Sequence, residues 1–222
     1  AAVLHPRAVE IARNYGVNLI VRSSYSEDEG TTLTSKAARQ IGREGLELGR
    51  PVDGVEILEN QAVIGISHIP DKPGIAAELF EALSHGNLNV DLIIQSTHEE
   101  TSNDITFTIN ESELKEAERI CKKTLLEIGG HLSAEQSMAK ISISGAGIMG
   151  RPGIAASLFE TLSREGINLR LIATSEVKVS CVIDEKFGRK ALRSIIDSFE
   201  LSENQTTINP KIKDTNFFPE VR

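Results

Sequence analysis

The sequence predicts an α+β protein that contains two copies of one βαββαβ unit. The main observation is an internal repeat, because residues 73–96 and 152–175 align without gaps and share 14 identical positions of 24. Strand-like and helix-like periodicities also follow one another in the same order in both copies. The composition agrees, since 222 residues with 40% hydrophobic and 25% charged side chains are typical of one large or two small globular domains.

The charge balance excludes several classes of function. The chain has 24 Lys and Arg against 32 Asp and Glu, a formal net charge of −8, and no basic run, which argues against nucleic acid or an anionic membrane as partner. No apolar stretch approaches the roughly 18 residues of a membrane-spanning helix. The cysteines Cys121 and Cys181 show no metal-ligand spacing. We therefore expect a cytoplasmic protein with reduced thiols and no metal site.

The first copy begins with an alternating strand, Ala62–Ile69, whose residues Ile64 and Ile66 are predicted to face the core. Pro73 then begins a helix with apolar residues at helical spacing, and Gly86 ends it. The remaining predicted elements are strand Leu88–Gln95, strand Asp104–Ile109, helix Glu111–Ile128 and strand His131–Ser137.

The second copy repeats this order. Its predicted elements are strand Lys140–Ser144, helix Pro152–Glu165, strand Asn168–Thr174, strand Val177–Asp184 and helix Lys186–Ser198. Its fourth strand is weak, and we expect the earlier segment Val55–Leu58 to occupy that edge of the sheet. With right-handed crossovers, each unit folds into a four-stranded antiparallel sheet with two helices on one face, the ferredoxin-like arrangement.

The segments that flank the repeats have a different character. Before them, the sequence predicts helix Ala8–Tyr15, strand Asn18–Arg22, an acidic loop at Ser23–Thr32 and a polar helix or linker at Ser35–Leu48. Such a short segment buries too little for an independent core, so we expect it to be the end of another domain. The start at Ala1 rather than Met favours a piece of a longer protein.

Four segments are expected from these patterns. They are a leading remnant and linker at residues 1–50, a first unit at 51–137, a second unit at 138–202, and a tail or linker without periodicity at 203–222.

Three stretches carry a resemblance to a known family. The repeats PDKPGIAAELFEAL and GAGIMGRPGIAASLFETLS, with the strands that follow them, resemble the tandem ACT domains of aspartate kinases. The leading AAVLHPRAVEIARNYGVNLIVRSSYSEDEGTTL resembles the last piece of the kinase domain, an α/β amino-acid kinase fold. The resemblance implies a regulatory region that binds lysine and/or threonine, forms a homodimer through its ACT domains, and inhibits the phosphorylation of aspartate by ATP.

The resemblance does not extend to the catalytic and nucleotide-binding motifs of the family. The family's K-F-G-G-[ST] signature and its nucleotide-binding segments are absent from residues 1–222, and phosphoryl transfer needs groups that hold the phosphates and Mg²⁺. We therefore expect no catalytic residue and no cofactor in this chain, with ATP and Mg²⁺ held by a kinase domain or catalytic subunit. Two alternatives are that the chain stands for the active kinase, or that it is an ACT sensor of another enzyme. His5-Pro6 and Arg22-Ser23-Ser24 match the kinase remnant and argue against the second alternative.

An amino-acid effector is predicted to bind at the loop into the first helix, where backbone N–H groups attract its carboxylate. Carboxylate and amide side chains nearby suit its ammonium group. The predicted effector-binding residues of the first copy are Asp71, Pro73, Gly74, Ile75, Asn89, Val90, Asp91, Gln95 and Ser96. The alternatives are that Asp71 caps the helix and that Asn89 is a turn residue.

The second copy keeps part of this set. Asn89 and Ser96 persist as Asn168 and Ser175, whereas Gly150, Arg170 and Thr174 stand where the first copy has Asp71, Asp91 and Gln95. We therefore predict the primary effector site in the first copy. The residues of a secondary site or dimer interface are predicted to be Asn168, Leu169, Thr174, Ser175 and Glu176.

Overall fold

The computed structural model describes the two repeat units and parts of the flanking segments. The described residues are 4, 8–9, 12, 17–26, 28–33, 51–99, 102–145, 148, 151–202 and 205–208. The helix or linker predicted over Ser35–Leu48 lies outside them, as does most of the tail. Among the described residues, no helix combines the length and the apolar composition that a membrane-spanning segment requires.

The leading segment forms a two-stranded antiparallel sheet. Strand β1 (Leu19–Val21) confirms the strand predicted over Asn18–Arg22, and strand β2 (Thr31–Leu33) pairs with it. The acidic loop predicted over Ser23–Thr32 therefore ends before Thr31, because Thr31 and Thr32 belong to β2.

A second, seven-stranded sheet carries the repeats. Its strands are β3 (Gly54–Pro70), β4 (Val90–Glu99), β5 (Ser102–Asn110), β6 (His131–Ser144), β7 (Leu171–Thr174), β8 (Lys178–Asp184) and β9 (Thr206–Ile208). The helices that accompany it are α1 (Ile75–His85), α2 (Leu114–Ile128), α3 (Ile154–Arg164) and α4 (Gly188–Phe199). The strand order is β4-β5-β3-β6-β8-β7, with β9 beside β3. The predicted ferredoxin-like order of elements is present in both units.

Strands β3 and β6 each serve both units. The later part of β3 pairs with β5 in the first unit, while Val55–Leu58 pairs with residues 140–143 of β6. The prediction that Val55–Leu58 supplies the missing strand of the second unit is confirmed, but this segment is not at the edge of the sheet, because β9 pairs with its other side. The separate strands predicted at His131–Ser137 and Lys140–Ser144 are one continuous strand, so the sheet runs without a break across the expected boundary after residue 137.

Two β-bulges allow β3 and β6 to run continuously through both units. The ladder between β3 and β6 shifts register around Gln61, where Asn60 and Ser137 both adopt φ 57. Each bulge adds one residue and so reverses the alternation of side chains along its strand. Ile57 and Ile64 are therefore both fully buried, although one position is odd and the other even.

Each bulge is held by an equivalent glutamate. The Asn60 amide donates to Glu185 Oε2 at 2.8 Å, and the Ser137 amide donates to Glu111 Oε2 at 2.9 Å. Both glutamates begin the short 3₁₀ turns that precede α4 and α2. The polar groups that the bulges remove from the ladder thus keep partners.

The tail corrects one prediction. Sequence patterns indicate a linker after Leu201, but β9 pairs in parallel with β3, placing Thr206 opposite Val55. Ile208 packs against the core of the second unit. A strand of three residues is too short to show a periodicity, and its pairing is visible only in the fold.

Two cores lie between the sheet and the helices. The first unit buries Ile64, Ile66, Leu79 and Phe107, which confirms the predicted core positions on β3. The second core contains the equivalent helix residue Leu158 and its neighbours. A third, small cluster contains only strand residues and lies on the opposite face of the sheet; it consists of Val63, Met138 and Val182, with Leu92 and Leu171 packed against it.

Candidate functional site

A small pocket lies where β3 ends and α1 begins. Its volume is about 100 Å³, and the predicted residues Asp71, Gly74, Ile75 and Gln95 line it together with Asn103. These residues come from the loop between β3 and α1, the first turn of α1, β4 and β5. Four of the predicted effector residues are thus neighbours in space, although up to 24 residues separate them in sequence.

Gly74 leaves the N-terminus of α1 accessible. It is the N-cap residue, with φ 99 and no side-chain cap, and a Cβ added there would meet nothing within 4 Å. The Ile75 amide donates to Lys72 O at 3.4 Å. The next amides of the first turn, Ala76 and Ala77, have no acceptor inside a helix. Together with the helix dipole, they favour an anionic group at this end.

Asp71 is held by a residue that the sequence does not predict. Asn103 Nδ2 donates to Asp71 Oδ1 at 2.8 Å, and Asn103 is 8% exposed. The alternative that Asp71 caps α1 is wrong, because Gly74 is the N-cap and no side chain caps that helix. Asn103 escapes sequence reasoning because it precedes the predicted strand. Only the register of the β3–β5 ladder, which places Asn103 opposite Ile69, two residues before Asp71, brings the two side chains together.

Gln95 and Ser96 point in opposite directions. Gln95 lines the pocket beside Ile105, its partner in β5. Ser96 is the next residue of the same strand, so its side chain projects from the other face of the sheet. Pro73 lies exposed in the turn before Gly74 and does not line the pocket.

The structure places the other predicted residues at the far end of β4. Asn89 follows the turn at Gly86–Asn87 rather than forming part of it, and Val90 packs against the first core. Asp91 forms an ion pair with Lys140, a residue that is only 7% exposed. The three residues are therefore not neighbours of Asp71, and the ammonium partner of Asp91 is supplied by the chain itself.

Comparison with known proteins identifies the family to which this fold belongs. A family model described as ACT domain matches residues 62–125 and 141–199. The regulatory subunit of aspartate kinase from Thermus thermophilus, solved in a ligand-free form, is 36% identical with a TM-score of 0.63, and the match covers 67% of this chain and 99% of that one. This chain belongs to the ACT-domain regulatory regions of the aspartate kinase family.

Longer members of the family extend beyond this ACT pair. Aspartate kinase from Synechocystis is 41% identical with a TM-score of 0.72, over 96% of this chain and 37% of that one. An aspartokinase of Thermus thermophilus is 38% identical over 205 residues, which are 91% of this chain and 49% of that protein. The chain thus spans about half the length of the curated relatives it matches.

The second ACT domain repeats the glycine N-cap of the pocket but has no counterpart of Asp71 in sequence. Gly153 is the N-cap of α3 with φ 101, as Gly74 is for α1. Gly150, which replaces Asp71, lies outside the described residues. Thr174 ends β7, and Ser175 and Glu176 follow it in the hairpin to β8, where the Ser175 amide donates to Lys178 O at 2.8 Å. Asn168 and Leu169 lie at the opposite end of β7 and line a different groove.

The two cysteine thiols of the ACT pair are buried. Burial raises the pKa of Cys121 to about 11 and that of Cys181 to about 12. Both thiols are free and buried in the two main cores. Within the described parts of the chain, no group of three or more His, Cys, Asp and Glu side chains is arranged to hold a metal ion.

Proposed function

We propose that this chain is the feedback-inhibition region of an aspartate kinase and binds an end-product amino acid, lysine and/or threonine, in the pocket at α1. The observation that carries the proposal is the pairing of an oriented carboxylate with an open helix N-terminus. Asp71, fixed by Asn103, is the partner for an ammonium group, and the amides after Gly74 are partners for a carboxylate. One small pocket thus presents both partners that an α-amino acid requires.

The bound amino acid would act on a kinase domain or catalytic subunit that phosphorylates aspartate with ATP to 4-phospho-aspartate. An effector shifts such an equilibrium only by its difference in affinity for the two arrangements. Coupling of about 1–3 kcal/mol, the usual range, would suffice for inhibition. The chain itself is proposed to be inactive, and formation of aspartyl phosphate by the purified chain with ATP and Mg²⁺ would contradict this.

The edges of the large sheet support a homodimer. Ile93 on β4 and Ile172 on β7 occupy equivalent positions in the repeat and are 50% and 44% exposed. Both strands are outer strands of the sheet, where unpaired backbone groups favour pairing with a second chain. Light scattering is expected to give twice the mass of the chain, and Ile93→Lys is expected to lower it. A wild-type monomer at micromolar concentration would exclude the homodimer.

A cytoplasmic location fits the same proposal. The fold has two free, buried cysteines and so does not depend on an oxidising compartment. Fluorescence microscopy of a tagged chain in its native cell tests the location.

Calorimetry on single variants tests the effector site. L-lysine and L-threonine are titrated into the wild-type chain, and at least one is expected to bind. Asp71→Asn removes the charge but keeps the shape, and we expect affinity to fall about tenfold. The matched control is Glu81→Gln, which removes an exposed charge from the same helix outside the pocket and is expected to change nothing. Equal affinities for Asp71→Asn and wild type would exclude this site.

A further inference from the structure

Two histidine rings meet at the surface of the first domain, where β3 and β6 lie side by side. His68 and His131 come from distant parts of the sequence, and both are exposed. Their ring centroids are 5.7 Å apart, and the ring planes make an angle of 74°. The register explains the contact, because Ser67 pairs with His131 and His68 is the next residue of β3. The fold thus joins two side chains that sequence spacing does not relate.

The backbone holds both histidines in place. The ladder between β3 and β5 has a bulge near the end of β3, and His68 lies in it with φ 57. The His68 amide keeps a partner there, since it donates to Asp104 Oδ1 at 3.0 Å. Gly130, with φ 104, lets β6 begin close to β3, because a Cβ on it would lie 3.0 Å from the Ser67 carbonyl oxygen. A left-handed residue other than glycine costs free energy, and such residues are concentrated at functional sites.

The histidine pair is a difference between the two ACT domains. By alignment and by register, the positions of the second domain that correspond to His68 and His131 are Gly145 and Gly54. A Cβ on Gly145 would lie 2.2 Å from the Pro51 carbonyl oxygen, so the second domain has no room for a side chain there. The ACT scaffold therefore forms without side chains at these two positions, and it does not require the imidazoles of the first domain.

The separation of the two imidazoles fits a single metal ion. A tetrahedral zinc ion holds each ligating nitrogen at about 2.0–2.1 Å, which places the centroids of two ligating rings about 5 Å apart. The observed 5.7 Å is close to this value, and rotation of the two exposed side chains turns one nitrogen of each ring toward the ion. Imidazole suits Zn²⁺, Ni²⁺ and Cu²⁺, whereas Mg²⁺ and Ca²⁺ prefer oxygen ligands. The carboxylate of Asp104 beside His68 further favours a cation.

We propose that His68 and His131 form a binding site for one divalent transition-metal ion of the Zn²⁺ type. The two imidazoles supply two ligands and water fills the other positions, because among the described residues no group of three or more His, Cys, Asp and Glu side chains is arranged to hold a metal ion. The ion joins the end of β3 to the start of β6. Asp71 follows His68 by three residues, so the ion also steadies the chain that leads into the pocket at α1. Binding of the metal does not depend on the effector proposed for that pocket.

Calorimetric titration of ZnCl₂ into the untagged, metal-free chain tests this proposal. Saturable binding is expected, and the ion should raise the temperature of thermal unfolding because it binds the folded state. MgCl₂ is the comparison and is expected to give neither effect. In NMR spectra of the imidazole groups, Zn²⁺ should shift the ring signals of His68 and His131 and leave those of His85 in place. Absence of saturable Zn²⁺ binding up to millimolar concentrations would overturn the proposal.

Three single variants localise the ion. His68→Asn introduces a residue that tolerates φ 57, and His131→Gln keeps a polar side chain on β6. Loss of a group that only orients a ligand costs about 10–100-fold in metal affinity, so loss of either imidazole should weaken Zn²⁺ binding at least as much. His85→Gln, exposed at the end of α1, is the matched control and should bind as wild type.

The two ligand variants give independent answers. If one of them does not fold, the other decides alone. Unchanged Zn²⁺ affinity in a folded His68→Asn or His131→Gln chain would overturn the proposal, as would an equal loss of affinity in His85→Gln.

Discussion

The two ACT domains have the same scaffold but different polar residues. Leu79 and Leu83 of α1 correspond to Leu158 and Leu162 of α3, and all four are essentially fully buried. Gly74 and Gly153 begin the two helices with nearly the same backbone angles. The polar positions differ, because Asp91 meets a buried Lys140 whereas its counterpart Arg170 meets Glu135 and Asp184 near the surface.

This difference shows how a duplicated fold acquires distinct sites. Core side chains are closely packed in both copies, so few substitutions are tolerated at these positions. Residues at the ends of strands, and on the face of the sheet opposite the helices, are less restricted by packing, so their side chains can differ between the two copies. The candidate effector pocket lies at such a place, where β3 ends.

The largest effect is expected from truncating equivalent core residues. Leu79→Ala and Leu158→Ala each leave a cavity and should lower the free energy of unfolding by about 3 kcal/mol. Because β3 and β6 belong to both ACT domains, urea denaturation should show one transition that either variant moves. Two transitions, each sensitive to only one variant, would show that the domains unfold independently.

The two ion pairs are expected to differ in strength. Asp91→Ala leaves the buried Lys140 ammonium unpaired and should cost about 2 kcal/mol, less than for a fully buried pair because Asp91 is 42% exposed. Replacing Lys140 by Met in the same chain should restore most of the loss. Glu135→Ala, which removes the contact with the exposed Arg170, is the comparison, with an expected cost below about 1 kcal/mol. Equal losses for the two acid variants, measured by denaturation, would refute the difference.

The two bulges allow a finer comparison. Asn60 and Ser137 have the same positive φ of 57, a conformation that Asn tolerates better than Ser. Ser137→Gly should therefore stabilise the chain by up to about 1 kcal/mol, and Asn60→Gly by less. Thermal unfolding of both variants checks the order, and a lower melting temperature for Ser137→Gly would contradict it.

The smallest effect near neutral pH concerns the thiols. The pKa values of about 11 for Cys121 and about 12 for Cys181 exceed the ordinary value of 9.0, so the unfolded chain loses these protons first. The thiols therefore leave stability unchanged below pH 9.0 and lower it as the pH rises toward 11 and 12. The Cys121→Ala/Cys181→Ala double variant should show a shallower alkaline decline. An identical decline would mean that the thiols do not contribute.

Sequence reasoning predicts the candidate site only in part. Asp71, Gly74 and Ile75 follow one another in a single turn, so their proximity is local, and Gln95 follows from the alternation along one strand. Asn103 and the Lys140–Asp91 pair escape such reasoning, because their partners lie 32 and 49 residues away. Which of several polar residues become neighbours depends on register, which no local pattern specifies.

By itself, the sequence determined the two βαββαβ units, their buried faces and the glycine turns, because repeats and hydrophobic periodicity are local properties of the chain. It also indicated that Val55–Leu58 would supply the missing strand of the second unit. Only the tertiary structure decided that β3 and β6 are continuous through paired bulges and that Thr206–Ile208 adds a strand. It also decided that Asp91 pairs with a buried lysine whereas its counterpart Arg170 lies near the surface. These features arise from contacts between distant segments, and side chains that are equivalent in the repeat meet different partners there.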